Sequence, residues 1–124
     1  MYNRPAADST TISVGLVRGR HPLPVNSYIW DNVSDVTDFD AIHAHACAWI
    51  EENIGVSVNY GTPINAADFT DVLTYVGEKR LTVYVTGLTA CTAAVVRACA
   101  LNGVSLTLMH YDTSLGDYIP QRIF

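Results

Sequence analysis

Three short runs in this chain carry residues able to hold an anion and a planar ring. The first is Arg18-Gly19-Arg20-His21-Pro22-Leu23-Pro24. Arg18, Arg20 and His21 place three potential cations just past a predicted strand, where they could meet a phosphate or pyrophosphate. A solvated basic loop is the plain alternative, but the glycine and the prolines favour a shaped one. The second is Thr86-Gly87-Leu88-Thr89. Gly87 lets backbone approach a ligand closely, and the first N–H groups of a following helix are free to bind an anion. The run is shorter than the G-x-G-x-x-G fingerprint and does not match a P-loop, so a ligand-free strand-to-helix corner stays open. The third is His110-Tyr111-Asp112 at the end of the next predicted strand. Tyr111 could stack on a base and Asp112 could accept from a ribose hydroxyl, against the alternative of a polar strand end. Arg97 stands among alanines in a helix pattern, either solvent-facing or reaching across a subunit boundary.

Other chemistry finds little support. His43, His45 and Cys47 lie close on a helix, but ligands with matching spacing do not occur elsewhere, so a metal is not expected. There is no G-x-S-x-G, and no serine or cysteine has an evident histidine partner. Carboxylate pairs such as Glu51/Glu52 and Asp68/Asp71 read as solvated helix faces. No cofactor is implied, and the pattern points to a binding protein rather than an enzyme.

The elements that must position these residues follow from periodicity and punctuation. Residues 1–10 read as a loose arm. Ile12–Val17 alternates as a strand, and Tyr28-Ile29-Trp30 is either an edge strand or a helical turn. Thr37 is the expected cap of a helix over 38–53, with Asp38 and Asp40 in its first turn and Phe39, Ile42, Ala46, Trp49, Ile50 and Asn53 facing inward. Val56–Tyr60 is a possible short strand, and Asn65 to Val76 a weaker helix or a loop. Leu81–Val85 forms a strand. Thr89 is the expected cap of a small-residue helix from Ala90 to Asn102, stopped by Gly103. Val104–Met109 is the next strand, and Thr113–Gly116 turns the chain into a last strand with Pro120 at a sheet edge. The sum is an α/β domain: a small mixed β-sheet with two main helices and a Rossmann-like βαβ unit in the C-terminal half.

At 124 residues the chain is one domain, 1–124. Hydrophobic residues make up 49% and charged residues 15%, so apolar surface is expected between subunits of a homo-oligomer. No apolar run approaches a membrane span, and the start has no signal-like core. A net charge of −5 argues against a nucleic-acid polymer but not against a small nucleotide. Cys47, Cys91 and Cys99 read as buried free thiols in a reducing compartment.

Arg20-His21-Pro22-Leu23-Pro24, Tyr28-Ile29 and Val36-Thr37-Asp38-Phe39 resemble a family of small phage proteins. So do Tyr84-Val85-Thr86-Gly87-Leu88-Thr89, Leu106-Thr107-Leu108, His110-Tyr111-Asp112 and Tyr118-Ile119-Pro120-Gln121. The likeness runs from about Val14 to the end and is to the first type of Thoeris anti-defence proteins. Such proteins bind cyclic ADP-ribose isomers made by bacterial TIR-domain enzymes and sequester them without cleavage. The resemblance implies action in the cytoplasm of an infected bacterial host. It also implies dimers assembled into hexamers, with pockets at subunit boundaries and, in some members, separate sites for cyclic oligonucleotides. Family pockets use an aromatic residue, a polar helix position and a late arginine. Arg97 falls near the helix position. No arginine falls near Thr113, which leaves Arg122 as the substitute. A more distant likeness is to CRISPR-associated Rossmann-like domains and ring nucleases. The alternative it carries is a ring nuclease or hydrolase of a cyclic nucleotide messenger, with His21 or His110 as acid–base.

Overall fold

The computed structural model describes residues 9–19, 22–54 and 78–124. Their order is β1 (Ser9–Val17), β2 (Tyr28–Trp30), α1 (Phe39–Asn53), β3 (Glu78–Tyr84), α2 (Thr89–Asn102), β4 (Ser105–Asp112) and β5 (Asp117–Arg122). The predicted strand at 56–60 and the weaker helix at 65–76 fall outside the described residues. β1 starts at Ser9, so the strand takes in the last two positions of the segment expected to be a loose arm.

The five strands form one mixed sheet in the order β2-β1-β3-β4-β5. β2, β1, β3 and β4 run parallel, and β5 returns antiparallel along β4. The fold is thus α/β with a parallel β3–α2–β4 unit, as the glycine punctuation predicts. α1 and α2 pack against each other on one side of the sheet. Their apolar sides join Val14, Leu16, Leu81, Val83, Leu106 and Leu108 in one buried cluster. From the helices come Ile42, Ala46 and Ile50 on α1, and Ala94, Val95, Ala98 and Cys99 on α2. The small residues of α2 are what let it sit this close to both sheet and neighbour. Among the described residues, no helix is long and apolar enough to cross a membrane.

Alternation then sends the intervening strand residues to the opposite face. That face presents Thr82 and Tyr84 of β3, Thr107, Met109 and Tyr111 of β4, and Tyr118, Pro120 and Arg122 of β5, matched by register. Gly15 in β1 lies opposite Tyr28. An added Cβ at Gly15 would meet Tyr28 Cδ2 and Cε2 at 2.5 Å and Leu23 Cδ1 at 2.8 Å, so the missing side chain is what lets that ring lie across the strand.

Both helix starts differ by one residue from expectation. Asp38, not Thr37, caps α1, accepting from the Ala41 N–H at 3.1 Å. The Thr37 hydroxyl is already committed, donating to Asp35 Oδ1 at 2.7 Å. Leu88, not Thr89, is the cap position of α2, and no side chain caps that helix. Phe39 is 57% exposed rather than inward. The buried line of α1 runs Ile42, Ala46, Ile50 in steps of four, and a residue three before Ile42 lies about 60° off it. Asn53 is likewise outside the core, donating back to the Trp49 carbonyl at 2.9 Å. The α2 stop is as expected, with Gly103 left-handed at φ 70.

Candidate functional site

The strand order reverses between β1 and β3: the chain leaves β1 toward β2, then crosses back to β3. In open α/β sheets, ligands sit outside the carboxyl ends of the strands at such a switch point. Arg18 follows β1 there, Thr86 and Gly87 follow β3, and Tyr111 and Asp112 end β4. The sheet therefore brings parts of all three sequence runs to one edge. β3 and β4 adjoin, and the Val85 N–H donates to the Met109 carbonyl at 3.0 Å just below their ends.

Tyrosines dominate the open face at this edge. The Tyr118 ring meets Tyr84 edge-on at 4.9 Å and Tyr111 edge-on at 5.2 Å. Tyr28 stands across β1 under the Arg18 guanidinium, whose carbon is 4.6 Å from the ring centroid. Burial holds the Tyr118 phenol above its usual range, and the neighbouring Tyr111, Tyr84 and Tyr28 phenols add to it. Such rings offer flat apolar surface with polar rims, suited to a nucleobase. Only Tyr111 of this group was legible as a candidate. The signal for the rest is present in the sequence: the four-residue turn 113–116 fixes Tyr111 opposite Tyr118, and Tyr84 follows from alternation along β3.

A concavity of about 430 Å³ lies against the end of β4, lined by His110, Tyr111, Asp112 and Thr113 with Ile119, Pro120 and Gln121 of β5. Its volume is in the range of small-molecule sites. His110 Nε2 lies 2.7 Å from Gln121 Oε1, so this imidazole is held by the strand beside it.

Thr86 is buried, and its Oγ1 has no hydrogen-bond partner among the described residues. An unsatisfied buried hydroxyl costs about 1–3 kcal/mol, and in native proteins such a group calls for a water, an ion or a ligand. It stands at the turn leading to the uncapped start of α2. There the Cys91 and Thr92 N–H groups both turn to the Leu88 carbonyl, at 3.1 and 3.2 Å. Gly87 is exposed, with nothing within 4 Å of an added Cβ. Thr89 is the exposed first residue of α2.

Other predicted residues take different places. Arg20 and His21 lie outside the described residues. Arg18 is exposed and forms an ion pair with Asp31, Nε to Oδ1 at 2.7 Å. Asp112 holds the hairpin: its Oδ1 accepts from the Ser114 N–H at 2.8 Å, the Ser114 hydroxyl and the Leu115 N–H. Those bonds, led by the Ser114 hydroxyl, pull its carboxyl below the usual range. Arg97 lies eight residues into α2, roughly 12 Å from its start, and donates to His43 Nδ1 of α1 at 3.1 Å. Arg122 is level with Thr107 and hence with Thr82. Thr86 is four residues further along, roughly 13 Å away at a strand's rise, so Arg122 does not join this edge.

The thiols are free, with Cys91 and Cys99 buried and Cys47 half-buried. Burial, with Cys47 nearby, pushes the Cys99 thiol up to about 12. Among the described residues, no group of three His, Cys, Asp or Glu side chains is arranged to hold a metal. No protein-family model, curated protein or solved structure matches the chain.

Proposed function

We propose that this protein is a phage anti-defence sponge that binds a cyclic ADP-ribose isomer and withholds it, uncleaved, in the cytoplasm of an infected bacterial host. The observation that carries the reading is the tyrosine group at the switch-point edge, beside the concavity that ends β4. The sequence likeness to the first type of Thoeris anti-defence proteins supports it from an independent direction.

A cyclic dinucleotide-like ligand presents a base, two riboses and a pyrophosphate. Tyr111 and Tyr118 receive the base; stacking on an aromatic side chain is worth roughly 1–3 kcal/mol per base. Arg18 and the amides around Gly87 and Thr89 receive the pyrophosphate. Arg18 must loosen from Asp31 to do so. Their pair is exposed, and such pairs contribute only about 0–1 kcal/mol, so the exchange is cheap. Among the described residues, the Thr86 hydroxyl supplies the one buried side-chain donor without a partner. Arg97 serves only where a second copy of the chain brings its edge to the α2 surface, which agrees with pockets at subunit boundaries.

Titration calorimetry with cyclic ADP-ribose isomers tests this assignment. The parent binds at least one isomer. Tyr118→Ala and Tyr111→Ala each weaken that binding at least tenfold, about 1.4 kcal/mol or more, with an unchanged circular dichroism spectrum. Variants that bind like the parent would move the pocket elsewhere. A parent that binds no cyclic nucleotide would remove the reading altogether.

A further inference from the structure

Arg97 is the only charged residue of α2, and it is exposed. Its Nη1 donates to His43 Nδ1 of α1 at 3.1 Å, across the exposed side of the helix layer. A guanidinium has donors only, so Nδ1 must accept. The imidazole in this contact is therefore neutral, with its proton on Nε2. Among the described residues, no carboxylate pairs with Arg97. Arg18 is held differently, by the Asp31 carboxylate at 2.7 Å. A carboxylate orients a guanidinium and offsets its charge. A neutral imidazole orients it and leaves the full positive charge for another partner.

We propose that His43 is a positioning residue: its neutral ring holds Arg97 as the anion anchor that one copy of the chain lends to the pocket of a second copy. The role rests on the cyclic-nucleotide reading and adds how that pocket's α2 cation is prepared. The contact uses one guanidinium N–H, and the rest stay available to phosphoryl oxygens. An untethered arginine must be ordered when it meets a pyrophosphate, which lowers affinity roughly three- to tenfold. The tether orders it beforehand. Protonating His43 reverses the contact, because Nδ1 becomes a donor and two cations face each other. Few other ionisable groups surround the pair. Asp40 and Cys47 lie about one turn before and after His43 on α1, and α2 adds only the buried thiols of Cys91 and Cys99. Among the described residues, no buried side chain of the sheet beneath is ionisable.

Two measurements test this role. Long-range proton–nitrogen NMR of the free protein reads the tautomer without any ligand. It should show His43 protonated on Nε2 at neutral pH, and a mixture of tautomers in Arg97→Gln. Calorimetry with the cyclic ADP-ribose isomer that the parent binds reads the anchoring. His43→Leu weakens binding roughly three- to tenfold. His43→Asn, whose Oδ1 can accept in place of Nδ1, binds like the parent at neutral pH. In an Arg97→Gln background, His43→Leu has no further effect. Between about pH 7.5 and about pH 5.5, where imidazoles titrate, parent affinity falls relative to that of His43→Asn. A His43 ring protonated on Nδ1, His43→Leu binding like the parent, or a His43→Leu loss that persists beside Arg97→Gln overturns the proposal and leaves the cyclic-nucleotide reading standing. A parent with the Nε2 tautomer that binds no cyclic nucleotide is a failure of that reading, and the anchoring role falls with it.

Discussion

Asp112 shows how one side chain can look like a ligand contact and be a turn. Its Oδ1 gathers donors from Ser114 and Leu115. A charged acceptor suits them better than a neutral one, which is why the carboxyl titrates below its usual range. The sign of the pH effect follows. The stabilisation is fully present above the unfolded carboxyl's pKa, about 3.9, and is lost as pH falls through the lower folded value. Asp112→Asn keeps an acceptor but loses the charge. Melting temperature against pH should therefore fall less steeply below about pH 4 in the variant than in the parent. Asp35, held low in the same way by Thr37, keeps part of the acid sensitivity in both. An identical acid limb in the two proteins would mean that the charge on Asp112 does not matter to the turn.

Single elements explain which parts of the fold were readable. The β3–α2–β4 unit was legible because glycines and a run of small residues punctuate it, and Gly103 is the left-handed stop such a helix requires. The α1 boundary was off by one because Thr37 and Asp38 are both good caps, and only the Asp35 contact decides between them. β2 was ambiguous because three residues carry no period. What makes it a strand is tertiary. His45 of α1 donates from Nε2 to the Ile29 carbonyl at 2.6 Å, and its ring stacks on Trp30 at 5.0 Å. The hydrogen bond joins residues 16 apart and the ring stack residues 15 apart, beyond the reach of local pattern. Apart from Tyr111, the tyrosine edge was missed for a similar reason, since its members come from β2, β3, β4 and β5 and meet only once register is set. His45→Ala removes one hydrogen bond and one ring contact, a loss of roughly 1–3 kcal/mol. Amide exchange at Tyr28, Ile29 and Trp30 should accelerate before exchange in β3 or β4 does. Uniform acceleration across the sheet would instead mean that β2 is no more dependent on α1 than the rest.

At the scale of the molecule, apolar side chains remain at the surface. Tyr111, Leu115 and Ile119 of the β4–β5 hairpin are 51%, 67% and 39% exposed, and β5 forms one edge of the sheet. Exposed apolar patches beside an open edge favour association, and the proposed assembly gives them a partner. Sedimentation equilibrium at micromolar concentration should report a dimer or a larger symmetric oligomer. A monomer there would count against pockets shared between subunits and would confine the ligand to one chain's own edge.

The central claim is that the protein holds a cyclic nucleotide without breaking it. The most direct measurement incubates the protein with a cyclic ADP-ribose isomer, removes unbound ligand, denatures the complex by heat and analyses the released molecule by mass spectrometry. Sequestration predicts recovery of the intact cyclic ligand in proportion to protein, however long the incubation. A linear product growing with time would instead make the protein a hydrolase. Retention of no nucleotide at all would contradict both readings of the switch-point edge.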